Sequence, residues 1–111
     1  MSLSTIKIDI ETDEGKVPES INWKASDTSL ENAQRAKAML LSFWDGREKT
    51  ALRIDLWTKD MMVDEMKVFF HQTLLSMADT LKKSTGEEKM AEDLKDYCAH
   101  FAEKMNLLKK G

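Results

Sequence analysis

At 111 residues, with 41% hydrophobic and 33% charged side chains, the chain has the length of one domain, 1–111, and folds without a staple by burying roughly 65% of its unfolded surface. Its formal net charge of -3 comes from 20 acidic and 17 basic residues that interleave rather than cluster, so no basic field exists to hold nucleic acid. The lone cysteine, Cys98, excludes an internal disulfide, and no stretch approaches the about 20 apolar residues of a transmembrane segment.

Met1-Ser2-Leu3-Ser4-Thr5 runs directly into Ile6-Lys7-Ile8-Asp9-Ile10-Glu11 without a basic start, an apolar run or a cleavage site. The expectation is a cytoplasmic protein with no signal peptide. Ile6, Ile8 and Ile10 alternate with charges, which predicts a half-buried strand ending at Asp13-Glu14-Gly15-Lys16, a turn whose glycine is free to take positive φ. Val17-Pro18 fits the start or edge of a second strand, because proline has no amide to donate, and Ile21 and Trp23 share a face. Ser26-Asp27-Thr28-Ser29 are helix-capping residue types ahead of Leu30 to Lys37, which predicts a short surface helix or turn.

Ala38-Met39-Leu40-Leu41-Ser42-Phe43-Trp44 is an apolar run that periodicity alone cannot assign. Its neighbour decides it. Asp45-Gly46 opens a turn, and Leu52, Ile54 and Leu56 alternate with Arg53, Asp55 and Trp57 as in a strand. With Gly46-Arg47-Glu48-Lys49 as the connection, Asp45 pairs with Thr50 and Ser42 with Arg53. Met39, Leu41, Phe43, Leu52, Ile54 and Leu56 then form one apolar surface, expected to turn inward. A slip of one residue would move Arg53 and Asp55 onto that surface, which burial penalises.

From Val63 the apolar positions Val63, Met66, Phe70, Leu74, Met77 and Leu81 recur at spacings of three and four, a long amphipathic helix. Asp60, Asp64 and Glu65 lie at its start, Lys82 and Lys83 at its end, and Gly86 closes it, each charge matching the helix dipole. A second helix carries Met90, Leu94, Tyr97, Cys98, Phe101, Met105 and Leu108. The short connection makes the two antiparallel neighbours. The predicted class is α+β: an antiparallel sheet of about four strands, built from two β-hairpins, packed against a C-terminal antiparallel helix pair.

No residue constellation points to chemistry. His71 and His100 lie on different helices without ligand spacing, so no metal site is expected and both histidines read as surface residues. The acids Asp9, Glu11, Asp55, Asp60 and Asp64 read as wet faces, and the chain has neither a phosphate-cradling glycine loop nor a nucleophile elbow. No cofactor and no enzymatic activity are expected. Cys98 reads as a buried, inert thiol. The methionines at helical spacing read as core filler, whereas Met61 and Met62 at the helix cap are not explained by the stripe.

The second face of the predicted 38–57 hairpin carries Leu40, Ser42, Trp44, Arg53, Asp55 and Trp57. Tryptophan is ordinarily mostly buried, so residue type alone favours coverage of this face by another part of the chain. Left open, two indoles beside an arginine are the side chains enriched at protein–protein contacts. The candidate contact set is Trp44, Arg53, Asp55 and Trp57, with Lys59 and Asp60 at the rim, facing a protein partner or a second copy in a homodimer. The alternative is a small ligand carrier or hydrolase with a pocket between sheet and helices.

The block from Leu52 to Met61, followed by Val63-Asp64-Glu65-Met66-Lys67-Val68-Phe69-Phe70-His71-Gln72-Thr73-Leu74, resembles the gliding motility protein C family, GldC. The predicted N-terminal hairpin, Phe43-Trp44-Asp45 and the overall length fit it too. The resemblance implies a small cytoplasmic accessory protein of the gliding apparatus of Bacteroidetes-type bacteria, with no known catalytic residue or cofactor. It transfers no site to any position here.

Overall fold

The computed structural model describes residues 2–26 and 33–107. The chain forms two compact units, Met1–Met61 and Met62–Gly111. The first holds the strands β1 (Ile6–Thr12), β2 (Pro18–Ala25), β3 (Gln34–Ala36), β4 (Ala38–Asp45) and β5 (Thr50–Trp57), and the second the helices α1 (Val63–Thr85) and α2 (Glu88–Lys104). The class is α+β, as expected. Among the described residues the strands number five rather than about four and divide into two antiparallel sheets, β1-β2-β3 and β4-β5.

In the three-stranded sheet the apolar alternation sets the pairing. Ile8 lies opposite Trp23 and Ile10 opposite Ile21, so the isoleucines of β1 and the apolar side chains of β2 share one side. Ile21, on the central strand and flanked by Ile10 and Ala36, is buried. The ladder shifts between Glu11 and Thr12, a bulge that lets Pro18 open β2. The intervening turn is organised by Asp13, whose Oδ1 accepts the N–H groups of Gly15 (2.8 Å) and Val17 (2.9 Å). Lys16, at φ 64°, takes the left-handed conformation expected of Gly15.

The segment read as a short surface helix or turn contains a strand instead: Gln34, Arg35 and Ala36 pair with Trp23, Asn22 and Ile21. Polar, alanine-rich residues have weak strand preference of their own, and it is the β2 ladder that holds them extended. Ser26, expected to cap a helix, accepts the Thr5 N–H on its hydroxyl at 2.9 Å. Asp27, Thr28, Ser29 and Leu30 lie outside the described residues.

The β4–β5 register is the predicted one. Asp45 pairs with Thr50, Ser42 with Arg53 and Phe43 with Leu52. Asp45 Oδ1 accepts the Arg47 N–H at 2.9 Å, its carbonyl accepts the Lys49 N–H at 2.8 Å, and Lys49 enters β5 at φ 54°.

α1 begins where Glu65 Oε1 accepts the Met62 N–H at 3.2 Å and ends at Gly86, φ 76°, whose N–H reaches the Lys82 carbonyl. α2 stops earlier than its apolar pattern suggested. Asn106 turns left-handed at φ 55°, its N–H reaches the Glu103 carbonyl, and the Leu107 N–H reaches that of Ala102, which closes the helix. Leu108 lies outside the described residues. The buried side chains of the pair are small: Ala78, Ala91, Cys98 and Ala102. Met77 and Met90, expected within the apolar stripes, are exposed, while the neighbouring Ala78 and Ala91 are buried. His71 is half-buried and stacks on Phe101 at 6.3 Å rather than lying on the surface. Cys98 is buried, and burial pushes its thiol above the ordinary range, which favours the protonated form. Among the described residues, no helix is long and apolar enough to cross a membrane.

Candidate functional site

The β4–β5 hairpin presents large apolar side chains on both of its faces. On one side Phe43, Leu52 and Ile54 are 55%, 53% and 48% exposed, although that side was expected to turn inward. The alternation grouped these residues correctly, but a period of two reports which side chains share a face, not whether anything covers it. On the other side Trp44 and Trp57 are 69% and 56% exposed, against the usual burial of tryptophan.

The register lays out this second face in rows. From the hairpin tip they are Trp44 beside Ala51, Ser42 beside Arg53, Leu40 beside Asp55, and Ala38 beside Trp57. Arg53 and Asp55 are brought together: the guanidinium donates from Nη2 to Oδ1 at 2.8 Å and from Nε to Oδ2 at 3.2 Å. The two-bond geometry fixes both groups and makes the middle of the face neutral overall. Trp44 and Trp57 are not brought together. Six strand positions separate their rows, roughly 20 Å along the hairpin.

Lys59 and Asp60 follow β5, and both are engaged within their own unit. The Lys59 ammonium pairs with Asp13 and, at 3.3 Å, with Glu19, while its N–H donates to the Pro18 carbonyl at 3.2 Å. The bond from Lys59, with the Val17 N–H, holds the Asp13 carboxyl below its usual range. Asp13 and then Glu19 raise Lys59 above its own. Thr58 is buried, and its N–H donates to the Lys37 carbonyl at 2.7 Å. Its hydroxyl donates to Asp60 Oδ1 at 2.7 Å, which lowers the Asp60 pKa. These ties anchor the base of the hairpin to the Asp13 turn and to the segment before β4.

A shallow depression of about 270 Å³ lies at that base, between Lys16, Val17 and Pro18 on one side and Asp55, Leu56 and Trp57 on the other. In the helix pair, Val63, Met66, Phe70, Phe101 and Met105 line an apolar groove of about 310 Å³ with Lys67 at its edge. Neither contains a nucleophile with a neighbouring base. Among the described residues no group of three or more histidine, cysteine or acidic side chains converges as a metal site would require.

The chain has no match among curated proteins or among solved structures. Its residues 18–107 match the profile of a family described as gliding motility-associated protein GldC-like. That span takes in β2 to β5 and both helices. The chain therefore belongs to the GldC-like family of gliding motility-associated proteins.

Proposed function

We propose that this protein serves gliding motility as a non-catalytic accessory module that acts by protein–protein contact, through Trp44, Arg53, Asp55 and Trp57 with Lys59 and Asp60 at the rim. The observation that carries this reading is the exposure of both indoles, 69% and 56%, on a strand face whose centre is a fixed arginine–aspartate pair. Exposed large aromatics with arginine are the composition of contact hot spots, where a few side chains supply most of the binding energy. The ion pair contributes orientation rather than affinity, since its partners remain solvated.

The test is complementation of a gliding bacterium that has lost this protein. Trp44→Ala and Trp57→Ala together are expected to abolish colony spreading, while the purified variant unfolds within about 0.5 kcal/mol of wild type because both side chains are exposed. Normal spreading by a well-expressed double variant would remove this face from the function.

A further inference from the structure

We propose that β5 pairs antiparallel with β5 of a second copy of this chain, about a two-fold axis through Ile54, to make a continuous four-stranded sheet. The inference deepens the contact reading above by naming a second copy as one partner of the same hairpin. It starts from an incomplete element. Among the described residues β4 and β5 form a sheet of two strands, and two strands are marginal in water without a third or a covering layer.

The backbone selects the open edge. The Thr58 N–H points to Lys37 on the β4 side, so by alternation the N–H and C=O groups of Ala51, Arg53, Asp55 and Trp57 point outward. No described residue lies in a ladder against them. The edge closes at Lys59, whose N–H meets the Pro18 carbonyl.

The side chains then select the register. A self-pairing ladder needs outward groups opposite outward groups, which rejects every odd-numbered slip. An axis at Arg53 sets Arg53 opposite its own copy, and an axis at Asp55 does the same for Asp55. Both place like charges face to face. An axis at Ile54 sets Arg53 opposite Asp55 of the second copy, twice, with Leu52 opposite Leu56 and Ala51 opposite Trp57. All the opposite pairs then match in chemistry.

This arrangement also joins what the single chain holds apart. Trp44 is already beside Ala51, so the second copy's Trp57 arrives on the other side of that alanine, two strand spacings or roughly 10 Å from Trp44. The sheet gains two such indole pairs and, on its reverse, an unbroken apolar face through Leu41 and Ile54.

β4 offers no equivalent, because its outward positions carry no opposed charges and Ala38 to Leu41 are half-buried. The edge of β1 also admits a matched register, Lys7 opposite Asp9 about Ile8, but β1 already belongs to a three-stranded sheet and lacks the incompleteness of β4–β5.

The test reads oligomeric state and register on the full-length chain. Sedimentation equilibrium is expected to show a dimer, with Asp55→Arg weakening it about tenfold or more because both cross-strand pairs become repulsive. Exchanging the charges, Arg53→Asp with Asp55→Arg, is expected to restore it, which a variant that merely misfolds would not do. Under mild oxidation Ile54→Cys is expected to form an interchain disulfide, because a non-hydrogen-bonded pair on the axis brings Cα atoms to about 4.5 Å. Leu52→Cys alone is expected to stay monomeric on a non-reducing gel, and an equimolar mixture of Leu52→Cys with Leu56→Cys is expected to cross-link.

A concentration-independent monomer would overturn the proposal, as would a dimer indifferent to Asp55→Arg, or cross-linking through Ile8→Cys in place of Ile54→Cys. A monomer that still depends on Trp44 and Trp57 for gliding would defeat the dimer alone and leave the contact surface standing.

Discussion

Lys59 illustrates how a single exposed side chain ties distant segments together. Its ammonium joins Asp13 in the first turn and Glu19 in β2 to the end of β5. The pH dependence follows from the two shifts. Asp13 titrates below its ordinary 3.8 in the folded chain, so its contribution is complete above that value and is lost as pH falls through the lowered pKa. Lys59 titrates above its ordinary 10.5, so its contribution is complete below that value and is lost as pH rises through the raised pKa. The stability gap between wild type and Lys59→Met, measured by urea denaturation, is therefore expected to be widest between these limits and to close on both sides. The Asp13 turn was legible as a turn, and which residue would hold the left-handed position was not: Asp13 Oδ1 bonds the Gly15 and Val17 amides, leaving Lys16 to carry the reversal.

At the scale of elements, the helix ends were the most readable features. Gly86 was identified from its place after Lys82 and Lys83, and it sits at φ 76° with open space around its Cα. Only glycine takes that conformation without a clash between Cβ and backbone, so Gly86→Ala is expected to cost about 1 kcal/mol in chemical denaturation. The cost arises from the backbone, because no neighbour would meet the added methyl. Asn106 closes α2 in the same left-handed way, and an asparagine after Lys104 was an available signal that the apolar stripe through Met105 obscured. In the helix pair small side chains were buried where larger ones had been favoured. Ala78 and Ala91 let two helix backbones approach, whereas the neighbouring methionines are left outside.

For the molecule as a whole, the proposed pairing of two β5 edges bears on stability as well as on contact. Pairing that occurs only between folded chains stabilises by mass action, so the thermal midpoint of wild type is expected to rise with protein concentration. Asp55→Arg is expected to flatten that dependence in a calorimetric dilution series. The sequence by itself determined the α+β class, the β4–β5 register and the limits of α1. Each rests on a local period, and at the hairpin a slip of one residue would have put Arg53 and Asp55 among Phe43, Leu52 and Ile54. The family was readable too, since the resemblance lay in the block from Leu52 to Leu74, within the residues that match. Only the tertiary structure decided that Gln34 to Ala36 form a strand, because those residues are extended by the β2 ladder rather than by any preference of their own. It alone decided that Trp44 and Trp57 stand open at opposite ends of one face, since exposure depends on what the rest of the chain brings near a side chain, and no periodicity encodes that.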